Sequence, residues 1–235
     1  MGAALCVLAF VLSIVVTTAD SRRRDSALPA AATAEPTTAG PPTTVDPATT
    51  ADPTPTAAPT RTVRHVFPVV DEGAVSYGRT HHGYPATDIM ARCGATYVAP
   101  VSGIVHEVNR VDRYDPAVND GATRGGLSVS IIGDDGVRYY GSHFQAIEPG
   151  IEPKVRVNAG DKVATVGRTG DAGACHVHFG LSPRCADGDW FVRRGVIWPW
   201  PYLDSWRAGG DAQPRPEIDE WLAANGCPDA PTVEP

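Results

Sequence analysis

His176 and His178 stand two residues apart in GACHVHFG, Gly173 to Gly180, in a chain of 235 residues that holds only seven histidines. Successive side chains of a strand point to opposite faces. The two imidazoles therefore share one face, and Cys175, Val177 and Phe179 share the other, the core side. An HxH pair alone is a weak signal, because two solvent-facing histidines on a sheet read the same way. Two further stretches add weight. THHGYPATDIM carries His81, His82 and Asp88, with Asp88 at the head of a short strand; YYGSHF carries His143, on one face with Tyr139 and Gly141 in an alternating strand. Five of the seven histidines and one aspartate thus fall in three strand-edge clusters. Imidazole nitrogen and carboxylate oxygen are donors that zinc prefers, and a catalytic zinc takes three such ligands and leaves a fourth position for water. No HExxH is present, so a glutamate base is not in its usual place and a histidine must do that work. The other two histidines have plainer readings: His65 lies where the folded part begins, and His106 in GIVHEV lies on an exposed strand face.

Elements that can position these groups are short. Apolar runs such as YVAPVSGIVHEV, GLSVSIIG, VRYYGSHF, KVATVG, CHVHFGL and WFVRRGVIW alternate with turn formers such as NDGATRGG, GDDG and NAGD. This pattern predicts an all-β, mainly antiparallel sheet, and Asp135-Gly136 in GDDGVRYY predicts a hairpin. One helix is expected late, in PEIDEWLAANG. It starts at Pro216, puts Ile218, Trp221 and Leu222 on one face, stops at Gly226 and docks on the sheet. Cys93, Cys175, Cys185 and Cys227 form no CxxC pair, which favours two disulfides over a cysteine zinc site. A bridge from Cys175 to Cys185 is hard to close across an extended strand to Leu181 and only four returning residues. The reading leans to Cys93–Cys175 and Cys185–Cys227.

The rest of the chain bounds the setting. Twenty Lys and Arg against 27 Asp and Glu give a charge of −7, with no basic run in the folded part, which argues against nucleic acid as a partner. Residues 1–19 are apolar and read as a signal peptide or an N-terminal membrane anchor. The arginines at 22–24 follow the apolar run instead of preceding it, the wrong side for a simple export signal, and an uncleaved anchor is the rival reading. Residues 20–61 are an Ala/Pro/Thr-rich linker, too poor in apolar surface to fold. The folded domain is expected over 62–206, and 207–235 is a C-terminal extension with the one helix.

Asp88 with an upstream histidine, YVAPVSGIV, His143, and VNAGDKVATVGRTG leading into HVHFGL together resemble the lysostaphin-type zinc metallopeptidases, over about Tyr77 to Leu203 with WPYL near the end. The resemblance implies a β domain built on a duplicated hybrid motif with a groove across the sheet. It implies one catalytic zinc and a peptidoglycan-peptide substrate, cut by a secreted or cell-envelope enzyme that works as a monomer. Any membrane attachment would run through the N-terminal segment. It maps the metal ligands to His81, Asp88 and His178, and the catalytic pair to His143 and His176. The family spacing His-x-x-x-Asp would put the first ligand at position 84, which is Tyr84. Related sequences place it seven residues before the aspartate, which selects His81, with His82 the alternative. Tyr77 and Tyr84 are candidates to meet an oxyanion, with packing the plainer role. A catalytically silent wall-binding or hydrolase-activating domain of the same fold is the rival reading.

Overall fold

The computed structural model describes residues 63–186 and 189–228. The expected signal or anchor at 1–19 and the linker at 20–61 lie outside the described residues. Among those that are described, no helix is long and apolar enough to cross a membrane.

Among the described residues, eleven strands build two antiparallel sheets. The smaller is ordered β1 (Val69–Val70), β4 (Thr96–Val98), β10 (Lys162–Val166), β8 (Phe144–Ile147). The larger is ordered β2 (Ser76–Tyr77), β3 (Thr87–Met90), β11 (His176–Pro183), β7 (Val137–Ser142), β6 (Ser128–Gly133), β5 (Gly103–Asn109), β9 (Arg156–Val157). The core lies where alternate residues of the two sheets meet. Tyr97 of β4 and Phe144 of β8, with ring centroids 4.8 Å apart, press on Gly141 of β7. Val177, Phe179 and Leu181 of β11 are fully buried beside them. The hairpin from β6 to β7 closes as GDDG implies: the Gly136 amide donates to the Gly133 carbonyl at 2.8 Å, and Gly136 takes φ +78°, which its missing Cβ permits.

The late helix, α3 (Arg215–Asn225), has Pro216 in its first turn and Gly226 just past its end, and it buries Ile218. Two other helices were not expected. WFVRRGVIW is not a strand. It opens as α1 (Trp190–Arg193), and only Ile197 reaches a bridge with Leu181 of β11. Two features break the run: Asp189 is drawn into a buried ion pair with Arg138, and Gly195 turns the chain at φ +131°. The second is α2 (Trp200–Arg207), which follows Pro199 and buries Tyr202, Leu203 and Trp206 at helical spacing. His65 is a buried fastener. Its ring stacks on Trp206 at 5.0 Å, Nδ1 lies 2.9 Å from Asp211 and Nε2 lies 2.8 Å from the Tyr139 hydroxyl. His106 is half-buried on β5, not on an exposed face. The disulfides are Cys93–Cys175 and Cys185–Cys227, the pairing toward which the sequence leans, with Cα separations of 5.3 and 5.4 Å.

Candidate active site

β11 is the centre of the site because its neighbours bring the other donors to it. Antiparallel register sets His178 directly opposite Asp88 on β3 and Ser142 on β7, and His176 opposite Met90. His178 Nδ1 lies 3.2 Å from Asp88 Oδ1, and His81 Nε2 lies 3.6 Å from the same oxygen. One donor atom each from His81, Asp88 and His178 lies within 4.8 Å of the other two. Zinc arms of 2.0–2.1 Å in a tetrahedron give edges of about 3.3 Å, so this donor set suits a single zinc ion. His178 supports the fit with its other nitrogen. Nε2 donates to the Arg194 carbonyl at 2.9 Å, which leaves Nδ1 as the lone-pair side turned toward Asp88. The carbonyl can come that close because residue 180 is glycine; a Cβ there would collide with it. His82 is exposed and stands edge-on to His81 at 4.9 Å, outside the cluster.

His143 reaches the site by a route that strand alternation does not give. Tyr139 and Gly141 turn into the core, as alternation requires, but β7 ends at Ser142 and His143 takes φ +66°. That left-handed step reverses the side chain, so His143 does not share a face with Tyr139 and Gly141. It lines the groove with Tyr140 and Ser142. Its Nδ1 donates to the Thr169 carbonyl at 2.8 Å, and His176 Nδ1 donates to the Ala174 carbonyl at 2.9 Å. When neutral, each ring therefore keeps its lone pair on Nε2. The two rings lie 4.6 Å apart, and His176 Nε2 is 3.7 Å from Asp88 Oδ1.

Electrostatics keeps the donors in ligating form. Burial and the neighbouring His178 push His81 down to about 4. Burial, with His176 and His178 nearby, pushes His143 down to about 4. Burial alone would raise Asp88, but the adjacent His178 and the other surrounding imidazoles outweigh it and hold the carboxyl at about 2. A neutral His81 beside an ionised Asp88 is the protonation pattern a divalent metal needs.

Tyr84 lines the groove, its ring 4.5 Å from that of His81, whereas the Tyr77 hydroxyl donates to Asp204 at 2.8 Å and takes no part. The groove, of about 590 Å³, also receives Trp190, Arg193 and Arg194 from the α1 segment and Arg124 from the long loop after β5. Sequence reasoning passed over these four. The only signal was the RR pair, placed inside a run that read as a strand.

No curated protein matches the chain. Among solved structures, the chain is similar to the catalytic domain of the antimicrobial peptidase lysostaphin from Staphylococcus simulans, at 22% identity and TM-score 0.42, over 57% of this chain and 91% of that one. It is similar to lysostaphin from the same organism at 21% identity and TM-score 0.45, over 60% of this chain and 53% of that one. It is also similar to a zinc-containing peptidase from Vibrio cholerae at 19% identity and TM-score 0.39, over 50% of this chain and 36% of that one. Residues 80–189, from just before His81 to Asp189, match peptidase family M23. That segment contains His81, Asp88, His143, His176 and His178, and over it the chain is similar to peptidase family M23.

Proposed function

We propose that this chain is a zinc-dependent endopeptidase that hydrolyses peptide bonds in the stem or cross-link peptides of bacterial peptidoglycan, outside the cytoplasmic membrane. One observation carries the reading: donor atoms of His81, Asp88 and His178 converge within 4.8 Å, while His143 and His176 are tethered beside them by carbonyls on Nδ1. His81, Asp88 and His178 are the proposed ligands. Bound there, zinc would polarise the scissile carbonyl and lower the pKa of water. His143 and His176 are the proposed catalytic pair. A ring whose Nδ1–H is held by a carbonyl can take a proton on Nε2 and return it to the leaving amine. The other ring, once protonated, can donate to the oxyanion. Two disulfides suit an oxidising compartment. The proposed organisation keeps residues 1–19 as a signal peptide or anchor and 20–61 as a linker that extends the domain toward the wall.

The test is zinc content together with release of amino groups from purified peptidoglycan. The expected result is one zinc per chain and a release that a chelator or His176→Ala abolishes. Protein that binds peptidoglycan and zinc but releases no amino groups would instead be a wall-binding or hydrolase-activating domain.

A further inference from the structure

His143 stands at φ +66°, a backbone that a non-glycine residue keeps only when its surroundings over-determine it. Those surroundings converge on Thr169, just past β10. The Thr169 hydroxyl accepts from the Leu127 amide at 3.0 Å and donates to the Phe144 carbonyl at 2.9 Å. The Thr169 carbonyl accepts Nδ1–H of the His143 ring at 2.8 Å. Backbone bonds close the rest of the knot. The His143 amide donates to the Gly125 carbonyl at 2.9 Å, and the Phe144 amide donates to the Leu127 carbonyl at 3.1 Å. One hydroxyl thus pins the residue after His143 to the loop that holds the His143 amide, and the backbone of the same residue holds the ring.

Two glycines make room for this. A Cβ on Gly126, which takes φ +56°, would stand 2.5 Å from the Thr169 hydroxyl, and a Cβ on Gly167 would stand 2.2 Å from the Gln145 amide nitrogen. The same short stretch reaches the second ring of the proposed pair. The Gly167 carbonyl accepts the His176 amide at 3.1 Å, so residues 167–169 hold His143 by its ring and His176 by its backbone. The two rings end 4.6 Å apart. Thr169 is half-buried and does not itself line the groove. Any effect it has on chemistry therefore passes through His143.

We propose that Thr169 is a positioning residue: its hydroxyl locks the left-handed step that aims His143 into the groove, and its carbonyl keeps the ring proton on Nδ1. The inference rests on the peptidase reading above, in which His143 and His176 act together. Reacting groups tolerate little displacement; a shift of about 1 Å costs on the order of 100-fold in rate. Thr169→Val keeps the shape and the backbone carbonyl but leaves the Leu127 amide and the Phe144 carbonyl without their partner. Thr169→Ser keeps the hydroxyl.

The test has two readouts on the full chain. With zinc-loaded protein and soluble peptidoglycan fragments, Thr169→Val should lose roughly tenfold to 100-fold in kcat, with KM held within about twofold and zinc content unchanged. Thr169→Ser should keep most of the rate. With metal-free protein carrying isotope-labelled histidine, at about pH 8 where imidazole is neutral, magnetic resonance reads the tautomer of His143, assigned by the signals that His143→Gln removes. The unaltered protein and Thr169→Ser should show the Nδ1–H tautomer alone, and Thr169→Val a mixture of both. Should the valine variant not fold, Thr169→Ala removes the same hydroxyl without adding bulk. A folded valine or alanine variant that melts lower but keeps its rate, or keeps the single tautomer, would overturn the proposal by reducing Thr169 to a structural role. A serine variant as impaired as the valine one would also overturn it. Unaltered zinc-loaded protein that cuts nothing counts against the peptidase reading alone, because the tautomer is read without zinc or turnover.

Discussion

Arg138 is the most demanding residue in the large sheet. It sits mid-strand in β7, opposite Ser182 of β11 and Ile132 of β6, with no exposed surface. Nη1 donates to Asp189 Oδ1 at 2.9 Å, and Nη2 reaches the Cys185 carbonyl at only 3.4 Å. Asp189→Ala would remove the one carboxylate that compensates this charge. Desolvation costs several kcal/mol per ion, and a buried pair broken on one side costs about 3–5 kcal/mol. Arg138→Met combined with Asp189→Leu removes the stranded charge and should recover most of the loss. The effect should reach the site. The Asp189 carbonyl accepts the first amides of α1, from Val192 at 2.9 Å and Arg193 at 3.0 Å, and one residue later the Arg194 carbonyl holds His178. Loosening α1 therefore loosens an outer-shell partner of a proposed ligand, which typically costs about 10–100-fold in metal affinity. Urea unfolding of metal-free protein reads the first effect, and competitive zinc titration reads the second. A loss below about 1 kcal/mol for Asp189→Ala would refute the burial argument. A large loss with unchanged zinc affinity would refute the coupling from α1 to His178.

Three other outcomes are expected. His178→Ala should lose zinc, whereas His143→Ala should keep zinc and lose about 10²–10⁴-fold in rate; metal analysis beside peptidoglycan turnover decides, and full activity in either variant would contradict the assignment. Converting Cys93 and Cys175 to serine opens a loop of sequence separation 82, a loss of about 4–5 kcal/mol by chain entropy, and a urea midpoint that does not move would contradict it. In metal-free protein His81 and His143 titrate near 4 when folded and near 6.5 when unfolded, so below pH 6.5 the unfolded chain binds more protons. Stability should fall as pH drops from about 6.5 and level off near 4; a melting temperature equal at pH 7 and pH 5 would count against the neutral, buried state of these rings.

Local rules made much of the site legible. The period-two alternation of a strand is a property of neighbouring residues, so CHVHF already places His176 and His178 on one face and Val177 and Phe179 in the core. GDDG specifies its turn, and PEIDEWLAANG its helix, because the proline, the apolar spacing and the glycine act within a few residues. Cysteine pairing was narrowed by the reach of the chain alone. What eluded local reading depends on partners far away in sequence. His143 faces the groove only because its backbone turns left-handed between two strands that belong to different sheets. WFVRRGVIW is helical at its start because Asp189 is drawn to an arginine 51 residues earlier, a contact that outweighs strand propensity. His81 lies beside Asp88 and His82 does not, since loop packing, not spacing, aims those rings. The two arginines of the groove are exposed-looking charges in sequence, and only the packed structure sets Arg194 over Tyr84 and Arg193 over Tyr140. Identity and periodicity act over a turn or a strand; convergence, burial and orientation come from the packed whole.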